Sequence, residues 1–188
     1  GGAIFERNAK SLTLTKEIQK LFGISKSTIR PKELINTILK FKAELLWFGG
    51  IGTYVKANSE SHFDVGDKAN DSIRVNASEL QFKVIGEGAN LGCTQLGRIE
   101  FAANGGRMNT DAIDNSAGVD SSDHEVNIKI LLGSIMQKGL LEEKSRNKLL
   151  AKMTDEVAKL VLLHNYRQSQ AISQIQSEGL FALDDQQK

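Results

Sequence analysis

A chain of 188 residues with 24 Lys and Arg against 23 Asp and Glu carries a net charge of +1, and 40% of its residues are hydrophobic. That is apolar material for one globular core, and the near-balance of charge, with no local basic run, argues against nucleic acid or a membrane surface as the main partner. Cys93 is the only cysteine, which excludes an intrachain disulfide and a cysteine metal cluster and points to a reducing, cytoplasmic setting.

No apolar run approaches the length that spans a bilayer. The opening GGAIFER has neither an initiator Met nor the basic and apolar segments of a signal peptide, so the chain reads as a fragment of something longer. The pattern predicts a short helix within Leu12–Gly23, capped by Thr15, with Ile18, Leu21 and Phe22 on one face and Gly23 as a left-handed stop. Pro31 suits the first position of a second helix, whose inner stripe is Leu34, Ile35, Ile38 and Leu39.

Ala43–Phe48 (AELLWF) reads as a buried strand followed by a glycine-rich loop with Gly49, Gly50 and Gly52. In open parallel sheets ligands bind at the carboxyl ends of strands, so this loop is one candidate wall of a site; a turn without a ligand is the alternative. Residues 56–76 are polar. The three aspartates between Asp64 and Asp71 lack the spacing and terminal Glu of an EF-hand, which leaves a solvated loop or a loop over a cofactor. Asn76 and Glu79 have the spacing to cap a brief helical turn ahead of a strand at Phe82.

That strand runs into KVIGEGANLGCT, where Gly86, Gly88 and Gly92 stand at GxGxxxG spacing before a helical pattern. Strand, glycine turn and helix start together can present backbone N–H groups to a phosphate or ribose. The same spacing also fits a turn that binds nothing. Thr94 caps the predicted helix to Asn104, with Leu96, Ile99 and Ala103 inward and Gly105–Gly106 ending it.

Met108–Ile113 follows as a short strand. Ser122 and Glu125 have capping-box spacing, which puts Ser122 at the N-terminus of a helix with Val126, Ile130, Leu131 and Ile135 on one face. A helix start there attracts a carboxylate or phosphate. From Glu142 a long helix is expected, with Leu149, Leu150, Met153, Val157, Leu160, Val161 and His164 at helical spacing and Glu142/Arg146 and Asp155/Lys159 pairs outside. His164 reads as a packed or half-buried residue rather than a ligand, and the chain ends in a Gln-rich tail, FALDDQQK.

The strings LLWFGGIGTYVKA, DVGDKANDSIRV, VIGEGANLGCTQLGRIEFA, NTDAIDNSAGVDSSDHEVNIKILL and DEVAKLVLLHNYRQSQAIS, in that order, resemble the large bacterial NAD-specific glutamate dehydrogenases over nearly the whole chain. Glu87–Asn90 and the stretch from Asn115 to Ser122 are also similar to the EGAN and N-A-G-G-V-x-x-S motifs of smaller glutamate dehydrogenases, with Ser116 and Ala117 in place of the usual Ala-Gly pair. The resemblance implies an α/β fold: a partial Rossmann-like (doubly wound) NAD-binding domain, its later half in residues 1–139, with an additional C-terminal helical segment in residues 140–188.

It also implies oxidative deamination of L-glutamate to 2-oxoglutarate and ammonia with NAD as cofactor. By resemblance, Gly49, Gly50 and Gly52 give the dinucleotide close backbone access, Glu87 and Gly88 are cofactor-binding, and Asn90 lies beside the ribose and nicotinamide. Asn115 would approach the nicotinamide carboxamide and Ser122 would hold a substrate carboxylate. The family's catalytic Lys and Asp and its phosphate-binding glycine loop have no match here, so the remainder of a catalytic chain is an expected partner, the full enzyme an expected homo-oligomer, and the separate polypeptide is expected to be inactive.

Two other readings stand beside this one. One is a non-catalytic interaction module or split-gene remnant. The other takes GEGANLG with Asp111, about twenty residues on, as a self-contained first unit of a dinucleotide fold, the acid on a ribose hydroxyl.

Overall fold

Short strands and helices alternate through the first part of the chain in the computed structural model, which describes residues 3–182. In order they are β1 (Leu12–Thr13), α1 (Lys16–Phe22), β2 (Thr28–Ile29), α2 (Pro31–Leu39), β3 (Ala43–Phe48), β4 (Val55–Lys56), α3 (His62–Val65), β5 (Val75–Asn76), β6 (Phe82–Glu87), α4 (Gln95–Ala103) and the short turn α5 (Asp111–Asp114). Two long helices follow, α6 (Ser116–Gln137) and α7 (Glu143–Glu178). The chain divides into two compact units, Gly1–Asp111 and Ala112–Lys188.

In the first unit the pairings that matter are parallel. β3 runs beside β6 with Leu45 opposite Val84 and Phe48 opposite Glu87, and β4 runs beside β5. Arg107 adds a further parallel bridge to β6 through Ile85 N–H to its carbonyl at 2.9 Å, and Cys93 bridges to Val55. Parallel pairs need crossover connections, and helices supply them here. The architecture is therefore α/β. Its main core joins Leu39, Phe48, Val55, Val75, Ile85, Cys93 and Phe101, and a smaller cluster gathers Leu12, Leu14, Ile29 and Leu34.

Several local expectations hold. Thr15 caps α1 and Gly23 ends it at φ 66°; Pro31 opens α2; Asn76 and Glu79 form a capping box; Thr94 caps α4 by accepting from Gly97 N–H.

Others are corrected. β3 is not buried throughout: Phe48 is, but Leu45 and Trp47 are 55% and 59% exposed. Successive strand residues face opposite sides, and the Leu46–Phe48 side is the one facing the α2 residues Ile35 and Leu39. On α2 itself, Ile38 is exposed while Leu34 and Leu39 are buried. Met108–Ile113 is not a strand; its end turns into α5.

The inner face of α4 is also different. Leu96, Ile99 and Ala103 are exposed, while Gly97, Arg98 and Phe101 are buried. A Cβ on Gly97 would stand 3.1 Å from the Lys56 carbonyl carbon, so the bare glycine is what lets α4 lie against β4. Arg98 takes an inner position because a buried carboxylate waits for it there.

In the second unit α6 and α7 form an antiparallel hairpin: Arg146 reaches Met136 near the connection, and His164 reaches Asp120 toward the far end. The connection turns at Gly139, φ 70°. Val161 is buried and Leu150, Met153 and Val157 are half-buried on α7, as their spacing predicts, but Leu149 and Leu160 are exposed. On α6 the buried residue is Leu132, and Val126, Ile130 and Leu131 are exposed. Glu142 is the N-cap of α7 with extended backbone, so Arg146 meets the Glu143 carboxylate instead. The Gln-rich end beyond Ala182 lies outside the described residues.

Gly97→Val adds three carbons where the Lys56 backbone already closes on the helix. It is expected to destabilise the fold by about 1–3 kcal/mol, the cost of overpacking, read as a lower urea midpoint with unchanged slope.

Candidate functional site

Because Phe48 stands opposite Glu87, the loop after β3 and the turn after β6 leave the same end of the parallel pair side by side. They are tied together by Tyr54 and Val55 N–H groups donating to the Gly92 carbonyl at 2.8 and 3.2 Å, and by Thr94 N–H donating to Val55 O at 2.9 Å. The carboxyl end of parallel strands is where an open α/β sheet takes a ligand. Gly49, Gly50 and Gly52 thus share one edge with Glu87, Gly88 and Asn90.

The first loop is open in front and anchored behind. Gly49 and Gly50 are exposed, with open space where a side chain would begin. Gly52 sits at φ 138°, and a Cβ there would lie 2.6 Å from Asn70 Nδ2. Thr53 N–H donates to Asp67 Oδ2 at 2.9 Å, and the buried Arg74 donates from Nε to Thr53 O at 2.8 Å and from Nη1 to Asp71 Oδ1 at 2.6 Å. The Asn70 amide first, and then the Thr53 N–H, hold the Asp67 carboxyl below its ordinary range, with Arg74 adding to the effect. The aspartate-rich segment is therefore the brace of the glycine loop. Among the described residues no group of three or more His, Cys, Asp or Glu side chains is placed to hold a metal ion.

The second turn is strained. Ala89 is buried and Asn90 exposed, and Leu91 adopts φ 57°, the one positive φ outside glycine among the described residues. A left-handed backbone costs such a residue roughly 1–2 kcal/mol, and strain of this kind collects where surrounding structure fixes it for a purpose. Leu91 N–H donates to Asp111 Oδ2 at 2.8 Å. Glu87, 0% exposed, receives Arg98 Nε at 2.7 Å and Nη2 at 3.0 Å, and Arg98 Nη2 also reaches Asp111 Oδ1 at 2.9 Å. Cys93 N–H closes the turn onto Glu87 Oε2 at 3.3 Å. Burial, and next the Glu87 charge, push the Cys93 thiol up, so it stays protonated and packs as a small apolar group.

Gly86 and Gly88 do other work. A Cβ at either would stand 2.5 Å from the Trp47 indole, so the bare backbone is the bed on which that ring lies.

Asn115 and Ser122 belong to the second unit. Asn115 precedes α6, its carbonyl accepting from Gly118 N–H at 3.2 Å. Ser122 is not the cap expected of it. The helix already runs from Ser116, and Ser122 sits two turns in, exposed, its Oγ donating to Gly118 O at 3.2 Å. Ser121 and Asn127 turn their polar groups back onto carbonyls four residues earlier in the same way. That back-bonding satisfies these side chains within the helix, at a slight cost to its stability. Nearby, Asp120 accepts from His164 Nδ1 at 2.8 Å, and Asn165 Nδ2 donates to Ser116 Oγ at 2.7 Å and Ile113 O at 3.1 Å, clasping α7 to the start of α6.

Sequence reasoning missed Arg98 and Arg74, and it weighed Asp111 only as a ribose acid. Their partners lie eleven, twenty-one and twenty residues away, at spacings no single element repeats. With both Asp111 oxygens on Leu91 and Arg98, and with β3 already paired to β6, the self-contained first-unit alternative loses its footing.

Fold and site together define an α/β protein with two glycine-bearing loops side by side at the carboxyl end of a parallel pair. Residues 1–175 match the family of the bacterial NAD-glutamate dehydrogenase catalytic domain, and the chain belongs to that family. It is 58% identical over 172 residues to the NAD-specific glutamate dehydrogenase of Halomonas elongata and 58% over 173 residues to that of Pseudomonas aeruginosa, covering 92% of this chain in each case. The Mycobacterium tuberculosis relative of the same name is 53% identical over 175 residues. The chain spans 11% of the length of each of these curated relatives.

The lowered Asp67 pKa fixes a sign for pH dependence. A carboxyl depressed in the fold contributes stability above its unfolded value of about 3.9, and loses it as pH falls through the folded value. Urea midpoints of the native chain are therefore expected to exceed those of Asp67→Asn at neutral pH, with the gap closing in acid.

Proposed function

We propose that this chain is the cofactor-binding portion of an NAD-dependent glutamate dehydrogenase, acting on L-glutamate, NAD and water to give 2-oxoglutarate, ammonia and NADH. The observation that carries this is the pairing of two loops at one strand edge, the open Gly49–Gly50 backbone and the strained turn bearing Asn90, in a member of this family. The residues present fit a dinucleotide: exposed backbone for close approach on one side, an amide side chain held on a fixed turn on the other.

In this reading residues 1–139 are the later half of a Rossmann-like domain. The exposed Leu45, Trp47 and Val84 support that, because parallel sheets are ordinarily covered on both faces. Gly49, Gly50 and Gly52 take the dinucleotide backbone, Gly88 belongs to the turn that carries Asn90 to its ribose and nicotinamide end, and Asn115 takes the carboxamide. Ser122, with its hydroxyl turned from Gly118 O, holds the substrate carboxylate, and Glu87 serves by shaping the turn from within. NAD supplies the hydride acceptor; this chain's own side chains orient and exclude water rather than move the substrate's protons. The remainder of the catalytic chain, in a homo-oligomeric enzyme, completes the site, and the isolated chain does not turn over.

A rival reading as an assembly module draws on the exposed Ile130, Leu131, Leu162 and Tyr166 of the helical hairpin. Calorimetry separates the two. NAD is expected to bind saturably to the 188-residue chain, with Asn90→Ala weakening it roughly tenfold, about 1.4 kcal/mol. Glutamate-dependent NAD reduction by the chain alone is expected to be nil. An absence of NAD binding favours the rival, and measurable turnover overturns the inactivity.

A further inference from the structure

Nothing in the family match or in the named relatives says what holds the Asn90 turn in its strained shape. We propose that Asp111 and Arg98 are positioning residues for that turn: Asp111 holds Leu91 in its left-handed conformation, and Arg98 locks Asp111 to Glu87 at the turn's entrance. The inference rests on the reading that Asn90 faces the cofactor.

The connections form one closed circuit around residues 87–93. Glu87 ends β6 and enters the turn; Leu91 sits just past Asn90; Cys93 leaves it. Glu87 is gripped by Arg98 through both of its oxygens, Leu91 by Asp111 through its backbone N–H, and Cys93 by Glu87 through its own N–H. Arg98 Nη2 is shared between Glu87 and Asp111, so the two carboxylates that fix either side of Asn90 are referred to a single guanidinium.

That guanidinium is placed by the first turn of α4, where Arg98 N–H donates to the carbonyl of the cap residue Thr94. The helix start, the strand end and the turn thus share one reference point. A buried ion network is a weak source of stability, because each ion loses its hydration. Its use here is geometric: it accepts the backbone N–H groups of Leu91 and Cys93, both just past Asn90, in fixed directions, which an apolar filling of equal volume does not do.

The Leu91 side chain is exposed and Leu91 makes this hydrogen bond through its backbone, so its part in the circuit is conformational. That gives the test its handle. Leu91→Gly removes the conformational penalty that Asp111 holds against, since glycine adopts positive φ freely. Asp111→Ala, Leu91→Gly and the double variant are made in the 188-residue chain. Two readouts follow: hydrogen exchange at the residue 91 amide without any ligand, and NAD affinity by calorimetry.

Asp111→Ala is expected to speed exchange at Leu91 by at least roughly tenfold while amides in β3 and β6 keep their protection. It is expected to weaken NAD by roughly tenfold when Leu91 is native, and by less than roughly threefold when it is combined with Leu91→Gly. If Asp111→Ala does not fold, Asp111→Leu, which fills the side chain's volume without an acceptor, is read against the same expectations. Unchanged exchange at residue 91, or an equal loss of NAD affinity with and without Leu91→Gly, overturns the proposal. If the native chain itself binds no NAD, the cofactor reading fails, and the exchange arm still decides whether Asp111 holds the turn.

Discussion

A buried guanidinium must have all its donors met, and this requirement organises the edge at which β3 and β6 end. Arg98 meets it with Glu87, Asp111 and Gln95, and Arg74 meets it with Thr53, His62, Asp67 and Asp71. Each arginine lies behind one of the two loops at that edge. Among the described residues no buried side-chain nitrogen or oxygen is left without a partner. Satisfied in this way, a polar network rigidifies its surroundings; half-satisfied, it would cost more than an apolar core. The loops in front can therefore remain open and polar while their frames stay fixed.

The glycines divide by the same logic into those left open at the strand edge and those that serve packing. Gly49 and Gly50 face open space. Gly86 and Gly88 lie beneath the Trp47 ring, Gly97 admits the Lys56 backbone, and Gly92 sits 3.1 Å, measured from a would-be Cβ, from the Phe48 ring. A GxGxxxG string that looks like a phosphate cradle is here mostly a surface planed flat for aromatic neighbours. What it delivers to the front of the sheet is Asn90.

The elements themselves were largely readable. Thr15, Pro31, Asn76 with Glu79, and Thr94 each mark a boundary through a local hydrogen bond or a missing N–H, and local chemistry survives whatever surrounds it. Which face points inward was less readable. Counting apolar residues put Leu96 and Ile99 inside α4, yet Arg98 lies there, because its partner comes from a strand eleven residues earlier and periodicity weighs no partner. Ser122 misled for the opposite reason. Its capping-box spacing with Glu125 is real, but spacing does not say whether a helix has already begun, and Asn115 had already taken the cap position upstream. The site residues came from resemblance, and the sequence held no signal for the arginines that hold their loops.

The two loops are not braced alike, and the difference bears on how each can move. The Gly52–Thr53 end of the first is held by a backbone donor on Asp67 and a carbonyl on Arg74, both on a segment of short turns where Gly66 (φ 73°) and the 3₁₀ turn Lys68–Asn70 follow one another. Short turns carry few ladder hydrogen bonds, so this brace belongs to the more readily opened part of the unit. The second turn is referred to α4 and β6, each with its own ladder and its own share of the main core through Phe101 and Ile85. A ligand at the proposed edge would meet one wall able to adjust and one already set. In the proposed reading, adaptation falls on the side of Gly49 and Gly50 and fixed direction on the side of Asn90, the division that orienting a reactive ring requires.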